Sequence, residues 1–235
     1  MLLPLKDDNP LEIIPFQYVT VGIIIVCAVM FLLQLSSHGA ITADFGMVPA
    51  ALLGGEDVPG APVASAVSLV TSIFLHGGWM HLIGNMLYLW VFGDNIEDSM
   101  GHGRFIAFFL ACGIAGGLAH ALANPDSLAP TIGASGAISG VLGAYLLLHP
   151  KVKVLVMAFT WWIHIRLPAY IVLGGWIVLQ IANAIWLAGP GSNTAWWAHI
   201  GGFVAGLVLI VPLHRKLIPL FDRGRYPGPW SKPKH

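Results

Sequence analysis

Four polar side chains interrupt stretches that are otherwise apolar: His81, Asn85, Ser135 and His199. A serine hydroxyl is a weak nucleophile until a neighbouring base takes its proton, and histidine is the commonest such base. Ser135 and His199 are therefore candidates for nucleophile and general base. Acyl transfer also needs donors aimed at the developing oxyanion. His81 and Asn85 are four residues apart, so on a helix both project from one face and can direct two donors at one point. Ser135 opens a helical stretch, where unpaired backbone N–H groups add a positive end to the same place. These are the parts of a serine hydrolase.

Each residue also has a plainer reading. A serine in an apolar helix commonly bonds the carbonyl four residues back, and a histidine among apolar neighbours is often only a packed polar group. Ser139, His76 and His120 read as polar ties between helices. A metal site made of His76, His81 and His120 would lack the His-Glu-x-x-His pattern and any carboxylate at that depth, so no metal and no cofactor are expected. The G-x-S-x-G elbow of soluble hydrolases is absent as well, because Ala137 takes its last position and no strand precedes Ser135.

The elements that must position these groups follow from composition. Of 235 residues, 57% are hydrophobic and 9% are charged, against about 25% charged in ordinary soluble domains. The net charge is zero, with 11 basic and 11 acidic residues, so there is no footprint for nucleic acid. The reading is an all-α polytopic membrane protein with six spans, at 18–35, 79–93, 105–123, 135–149, 168–187 and 195–213. Backbone groups in lipid must be bonded internally, and the runs lack the two-residue alternation of a barrel. The second and fourth runs are short for a full crossing, which points to a cavity. With Asp7, Asp8 and Glu12 ahead of the first apolar run, the N-terminus does not read as a cleavable signal peptide. Cys27 and Cys112 match no metal or redox spacing.

Orientation follows from Lys and Arg. The connections 36–78, 124–134 and 188–194 contain none, and all 11 basic residues fall on the other side. Both termini are thus expected in the cytoplasm, with a cytoplasmic segment at 1–17, a helical domain at 18–213 and a basic, Pro-rich tail at 214–235. The first 15 residues and the chain from Asp222 are expected to be mobile. Trp161 and Trp162 on the inner side, and Trp196 and Trp197 on the outer, suit aromatic belts.

With a rise of about 1.5 Å per residue, His81 lies about 20 Å from Asp94, Ser135 about 21 Å from His149, and His199 about 24 Å from Arg215. In a hydrocarbon core of about 30 Å, all three sit in the outer third. Three spans thus bring polar groups to one depth. Gly133 and Gly136 around the serine, and Gly202 and Gly206 after the histidine, let the fourth and sixth spans approach closely enough for short side chains to meet.

His81-Leu82-Ile83-Gly84-Asn85, Gly133-Ala134-Ser135-Gly136 and Ala198-His199-Ile200-Gly201-Gly202 with Gly206, in that order on the second, fourth and sixth spans, resemble the rhomboid family of intramembrane serine proteases. Gly93-Asp94-Asn95-Ile96-Glu97 is similar to a family feature at the same place. The resemblance implies a Ser135/His199 dyad with no acidic third member, and an oxyanion hole formed by His81, Asn85 and backbone N–H groups near Ser135. It implies transmembrane substrates within a lipid bilayer, and casts the fifth span, with Trp176 and Gln180, as a lateral gate. Two departures stand out: 65–75 lacks the Trp-Arg pair of many members, and Ser139 replaces a tyrosine one turn below the nucleophile, leaving open what packs against His199.

The leading expectation is an intramembrane serine endopeptidase, placed in a bacterial inner membrane by the chain's compactness, with its site opening outward. The alternative is a catalytically silent relative that binds transmembrane clients, since a fold can outlive its chemistry. A small transporter fits less well, because the first and fifth spans hold no ionisable interior residue and no inverted repeat exists.

Overall fold

A computed structural model describes residues 2–54, 65–158, 163–187 and 194–221. Its elements run β1 (Leu2–Asp7), α1 (Tyr18–Ser36), α2 (Ala40–Phe45), α3 (Pro49–Gly54), α4 (Ser65–Thr71), a 3₁₀ turn (Ser72–Phe74), α5 (Trp79–Met100), α6 (His102–Ala123), α7 (Ser135–Leu148), β2 (Lys153–Ala158), β3 (Ile163–Pro168), α8 (Ala169–Trp186) and α9 (Trp196–Leu213). Among the described residues α1, α6, α8 and α9 are long and apolar enough to cross a membrane. The segment Ser65–Phe74 and α5, bent by 81° at a short break, make a fifth candidate when taken together. This is a polytopic helical membrane protein.

Helix α7 has 14 residues, about 21 Å of length, and so falls short of a bilayer's hydrocarbon core. Every residue from Gly136 through Tyr145 is buried. A helix apolar all round belongs inside a bundle, and α7 is clasped there by α6 and α9. Gly202 and Gly206 make that contact possible: a Cβ on Gly202 would overlap the Gly136 carbonyl oxygen, and one on Gly206 the Gly140 carbonyl oxygen. Leucines, isoleucines and valines such as Ile25 and Leu32 of α1, and Val178, Leu179 and Ile185 of α8, face outward, as lipid contact requires.

The second span is longer than the apolar pattern suggests. It continues through the carboxylates to Met100, because those side chains are bonded within the protein instead of facing lipid. Glu97, fully buried, accepts from the backbone N–H of Val19 at 2.9 Å and of Thr20 at 2.8 Å, and from the Thr20 hydroxyl at 2.7 Å. It thereby satisfies orphan donors in the first turn of α1. Asp98 accepts from the N–H groups of Glu12, Ile13 and Ile14 at 2.9, 2.9 and 2.6 Å.

The expectation of a mobile N-terminus is corrected accordingly. Besides its hold on Asp98, the N-terminal segment enters an antiparallel sheet of order β1-β2-β3, which adds a small β layer to the helical bundle. Residues 214–221 also dock, with Arg215 N–H donating to the Ser99 carbonyl and Phe221 N–H to that of Leu147. The tail from Asp222 and the pair Trp161 and Trp162 lie outside the described residues.

Asp7 at the end of β1 is buried, accepting from the Tyr145 hydroxyl at 2.5 Å and from Asn95 Nδ2 at 2.9 Å. Burial pushes its carboxyl up from 3.8 to about 6, against the opposing pull of the Tyr145 hydrogen bond, the Asn9 backbone and His149. The folded protein therefore holds this proton more tightly than the unfolded chain does. The resulting stabilisation is complete below pH 3.8 and is lost as pH rises through about 6, an effect of about 2 to 3 kcal/mol. We expect Asp7→Asn to flatten the fall in thermal stability of the detergent-solubilised protein between pH 4 and pH 7; slopes identical to wild type would contradict this assignment.

Candidate active site

Ser135 is the first residue of α7, following Ala134 as N-cap and Gly133 at a φ of +127°. The turn is fixed by Gly133 N–H donating to the Ser72 carbonyl at 2.9 Å. A Cβ at Gly133 would sit 2.7 Å from Cε1 and Nε2 of His81 and 3.8 Å from Nδ2 of Asn85. Glycine here supplies both the left-handed backbone and the room for His81 to lie beside the serine's own loop.

His199, one turn into α9, meets Ser135 across the α7–α9 contact, with Nε2 and Oγ 2.9 Å apart. Its Nδ1 is 2.8 Å from Oε1 of Gln180 on α8. An amide oxygen only accepts, so Nδ1 carries the proton and the Nε2 lone pair faces the Ser135 hydroxyl. Both residues are partly exposed. Trp176 of α8 lies against the His199 ring, centroids 5.8 Å apart at 39°, and Trp196 meets it edge-on at 6.1 Å and 86°. These two indoles are what packs against His199, the question left open by Ser139. Trp196, which suits a belt from the sequence, also packs on the imidazole, because it sits three residues before His199 on the same helix face.

His81 and Asn85 share the face of α5 that borders Gly133. The Gly77 N–H donates to His81 Nδ1 at 3.3 Å, which puts the proton of the neutral ring on Nε2, the edge nearest Gly133. Asn85 Nδ2 is buried with no hydrogen-bond partner among the described residues, a cost that native proteins rarely bear without a reason. The His81 and Asn85 side chains thus both lie beside Gly133, two residues before Ser135, and the first backbone N–H groups of α7 open at the same turn.

Of the polar residues read as ties between helices, Ser139 and His120 bond within their own helices, whereas His76 does join neighbouring elements. Ser139 Oγ donates to the Ser135 carbonyl within α7 at 2.6 Å, as a small hydroxyl in a helix readily does. His120 lies beside Asn124 of its own turn, whose Nδ2 also donates to the His120 carbonyl at 3.0 Å. His76 is held through its backbone: its N–H donates to Gln34 Oε1 at 2.9 Å, and Gln34 Nε2 to its carbonyl at 3.2 Å. Its ring packs against His81, with centroids 5.2 Å apart. Among the described residues, no three His, Cys, Asp or Glu side chains are placed to share a metal ion. The contact that residue spacing could not give is Gln180 to His199, which joins side chains 19 residues apart on different helices.

Residues 64–216 match the family model described as Rhomboid domain. Rhomboid protein 1, mitochondrial, of Saccharomyces cerevisiae is 34% identical over 155 residues, covering 62% of this chain and 41% of the relative. Rhomboid-like protease 5 of Toxoplasma gondii is 33% identical over 147 residues, 60% of this chain and 15% of that protein. Rhomboid protease GluP of Bacillus subtilis is 47% identical over 78 residues, 33% of this chain and 15% of that protein. The aligned stretch thus spans less than half the length of each of these relatives.

Proposed function

This chain belongs to the rhomboid family, and from that premise we propose that it is an intramembrane serine endopeptidase that cuts transmembrane segments of other membrane proteins. The observation that carries the reading is the 2.9 Å approach of His199 Nε2 to Ser135 Oγ. As Oγ attacks the scissile carbonyl carbon, its proton passes to Nε2, and the carbonyl oxygen takes the negative charge. That oxyanion is received by His81 Nε2–H, Asn85 Nδ2–H and the backbone N–H of Ser135. His199 then protonates the leaving amine as the C–N bond breaks, leaving an acyl group on Oγ. A water molecule, deprotonated by the same Nε2, releases the acid and restores the hydroxyl.

Gly133, Gly136, Gly202 and Gly206 serve by letting α5, α7 and α9 close on this point. Within the proposal the protein crosses the bilayer six times with α7 buried in the bundle, both termini lie in the cytoplasm, and the serine opens to the outer side. A bacterial inner membrane is the proposed location. The segments 1–17 and 214–235 flank the protease domain at 18–213.

The test is cleavage by the protein in liposomes of a panel of tagged single-span membrane proteins, with the products sized and sequenced. Wild type is expected to cut at least one of them within or beside its span. Asn85→Ala is expected to lower kcat by about 10²- to 10³-fold, the usual cost of losing one oxyanion donor, with KM little changed because the contact is made in the transition state. No cutting of any panel member by wild type, or an Asn85→Ala protein at the wild-type rate, would contradict the reading.

A further inference from the structure

We propose that Gln180 is the positioning residue of the Ser135/His199 pair, holding the imidazole in its reactive tautomer from a third helix. The inference rests on the serine-protease reading above and goes beyond it, because it gives the base a third partner that is neutral. Gln180 is only 7% exposed. Its Nε2 donates to the Trp176 carbonyl one turn earlier at 3.4 Å, and its Oε1 lies 2.8 Å from His199 Nδ1. The first contact sets which end of the amide faces the histidine. With the oxygen on that side, Nδ1 must be the donor, Nε2 must be the acceptor, and the Ser135 hydroxyl must point its proton at Nε2.

The same helix supplies Trp176, whose ring covers the imidazole at 5.8 Å. An indole restrains the tilt of the ring and the amide its rotation, so together they fix the plane in which Nε2 approaches Oγ. A carboxylate in this place would also stabilise the imidazolium, but it would leave a charge buried among apolar side chains, which is costly without a paired cation. A glutamine orients the ring without that charge. Because Ser135 is on α7, His199 on α9 and Gln180 on α8, the bond also makes the orientation of the base depend on how α8 is seated.

The experiment compares the full-length protein in liposomes, wild type beside Gln180→Leu, Gln180→Met and Gln180→Glu, on one transmembrane substrate whose cleavage is lost in Ser135→Ala. Rates are measured from pH 5 to pH 9 and corrected for the folded fraction. The apolar variants, which fill the space but offer no acceptor, are expected to lower kcat by about 10- to 100-fold with KM within about 2-fold. That is smaller than the roughly 10⁴-fold loss when a triad imidazole is locked in the wrong tautomer, because here either tautomer stays accessible. Gln180→Glu is expected to move the acid limb of the pH–rate profile to higher pH by about one unit, since a carboxylate favours the protonated ring.

A role in packing alone would be filled by leucine or methionine and would leave kcat near the wild-type value. Apolar variants within about 3-fold of the wild-type kcat, or a folded Gln180→Glu protein whose acid limb is unmoved, would overturn the assignment while Ser135-dependent cleavage still stood. Wild-type cleavage that is absent, or that survives Ser135→Ala, would overturn the protease reading and this assignment with it.

Discussion

Ser135→Ala is expected to lower peptide-bond cleavage by at least about 10⁴-fold, to the level left by binding and the oxyanion donors alone, with the protein still folded. The substitution deletes the only atom that forms the covalent bond to substrate in the proposed reaction. It takes little from the fold, because Ser135 is partly exposed and its hydroxyl bonds the His199 ring, not the backbone of a neighbouring helix. Losing such a hydrogen bond costs about 1 kcal/mol. The check is paired: cleavage in liposomes beside thermal unfolding in detergent. Cleavage above about one hundredth of the wild-type rate would contradict the role of Ser135, since residues that act as one unit lose far more.

The second large effect is structural. Gly202→Val is expected to prevent α7 and α9 from closing and to abolish activity by loss of the folded bundle. Even a single Cβ at Gly202 would overlap the Gly136 carbonyl oxygen, and Gly136 adjoins Ser135. Backbone cannot swing aside as a flexible side chain can, so the helices must separate. A gap of even 1 Å between α7 and α9 takes the imidazole out of reach of the hydroxyl. The expected destabilisation is about 3 kcal/mol or more, in the range of severe overpacking. Gly22→Ala, where no neighbouring atom lies within 4 Å, is the control and is expected to fold as wild type. Gly202→Val protein with wild-type thermal stability and cleavage would contradict the packing account.

Much of this arrangement is legible in the sequence. The runs read as apolar start or stop within a few residues of α1, α6, α8 and α9, because lipid-facing segments must be both apolar and helical, and of α7, which is apolar because it is buried in the bundle. The pattern fails at α5, whose last turns carry Asp94, Asn95, Glu97, Asp98 and Ser99. Hydropathy reads a carboxylate as the edge of the membrane, whereas here Glu97 receives backbone N–H groups in the first turn of α1 and Asp98 those of the N-terminal segment. The sheet is invisible for a related reason: the partner of β1 lies some 150 residues away in β2, and short strands carry no periodicity strong enough to announce such a pairing.

At the site, the depth arithmetic puts Ser135 and His199 on one level, and in the structure their side chains are 2.9 Å apart. Rise per residue gives height but no azimuth, so it says nothing of which third helix completes the histidine's surroundings. Gln180 and Trp176 come from the resemblance only as parts of a gate, and their contact with His199 arises from how α8 and α9 pack in the folded chain. Trp196 shows the same limit. A tryptophan at a span's end suits an interface belt, and only the direction of the first turn of α9 turns it toward the imidazole.

The central claim is that Ser135 is an activated nucleophile, and it is tested most directly by labelling the detergent-solubilised protein with a fluorophosphonate and mapping the adduct by mass spectrometry. The account predicts a single adduct on Ser135 Oγ in wild type and none in His199→Ala, where the hydroxyl remains but its base is gone. A folded wild-type protein that takes no label, or a His199→Ala protein labelled at Ser135 as fast as wild type, would contradict it.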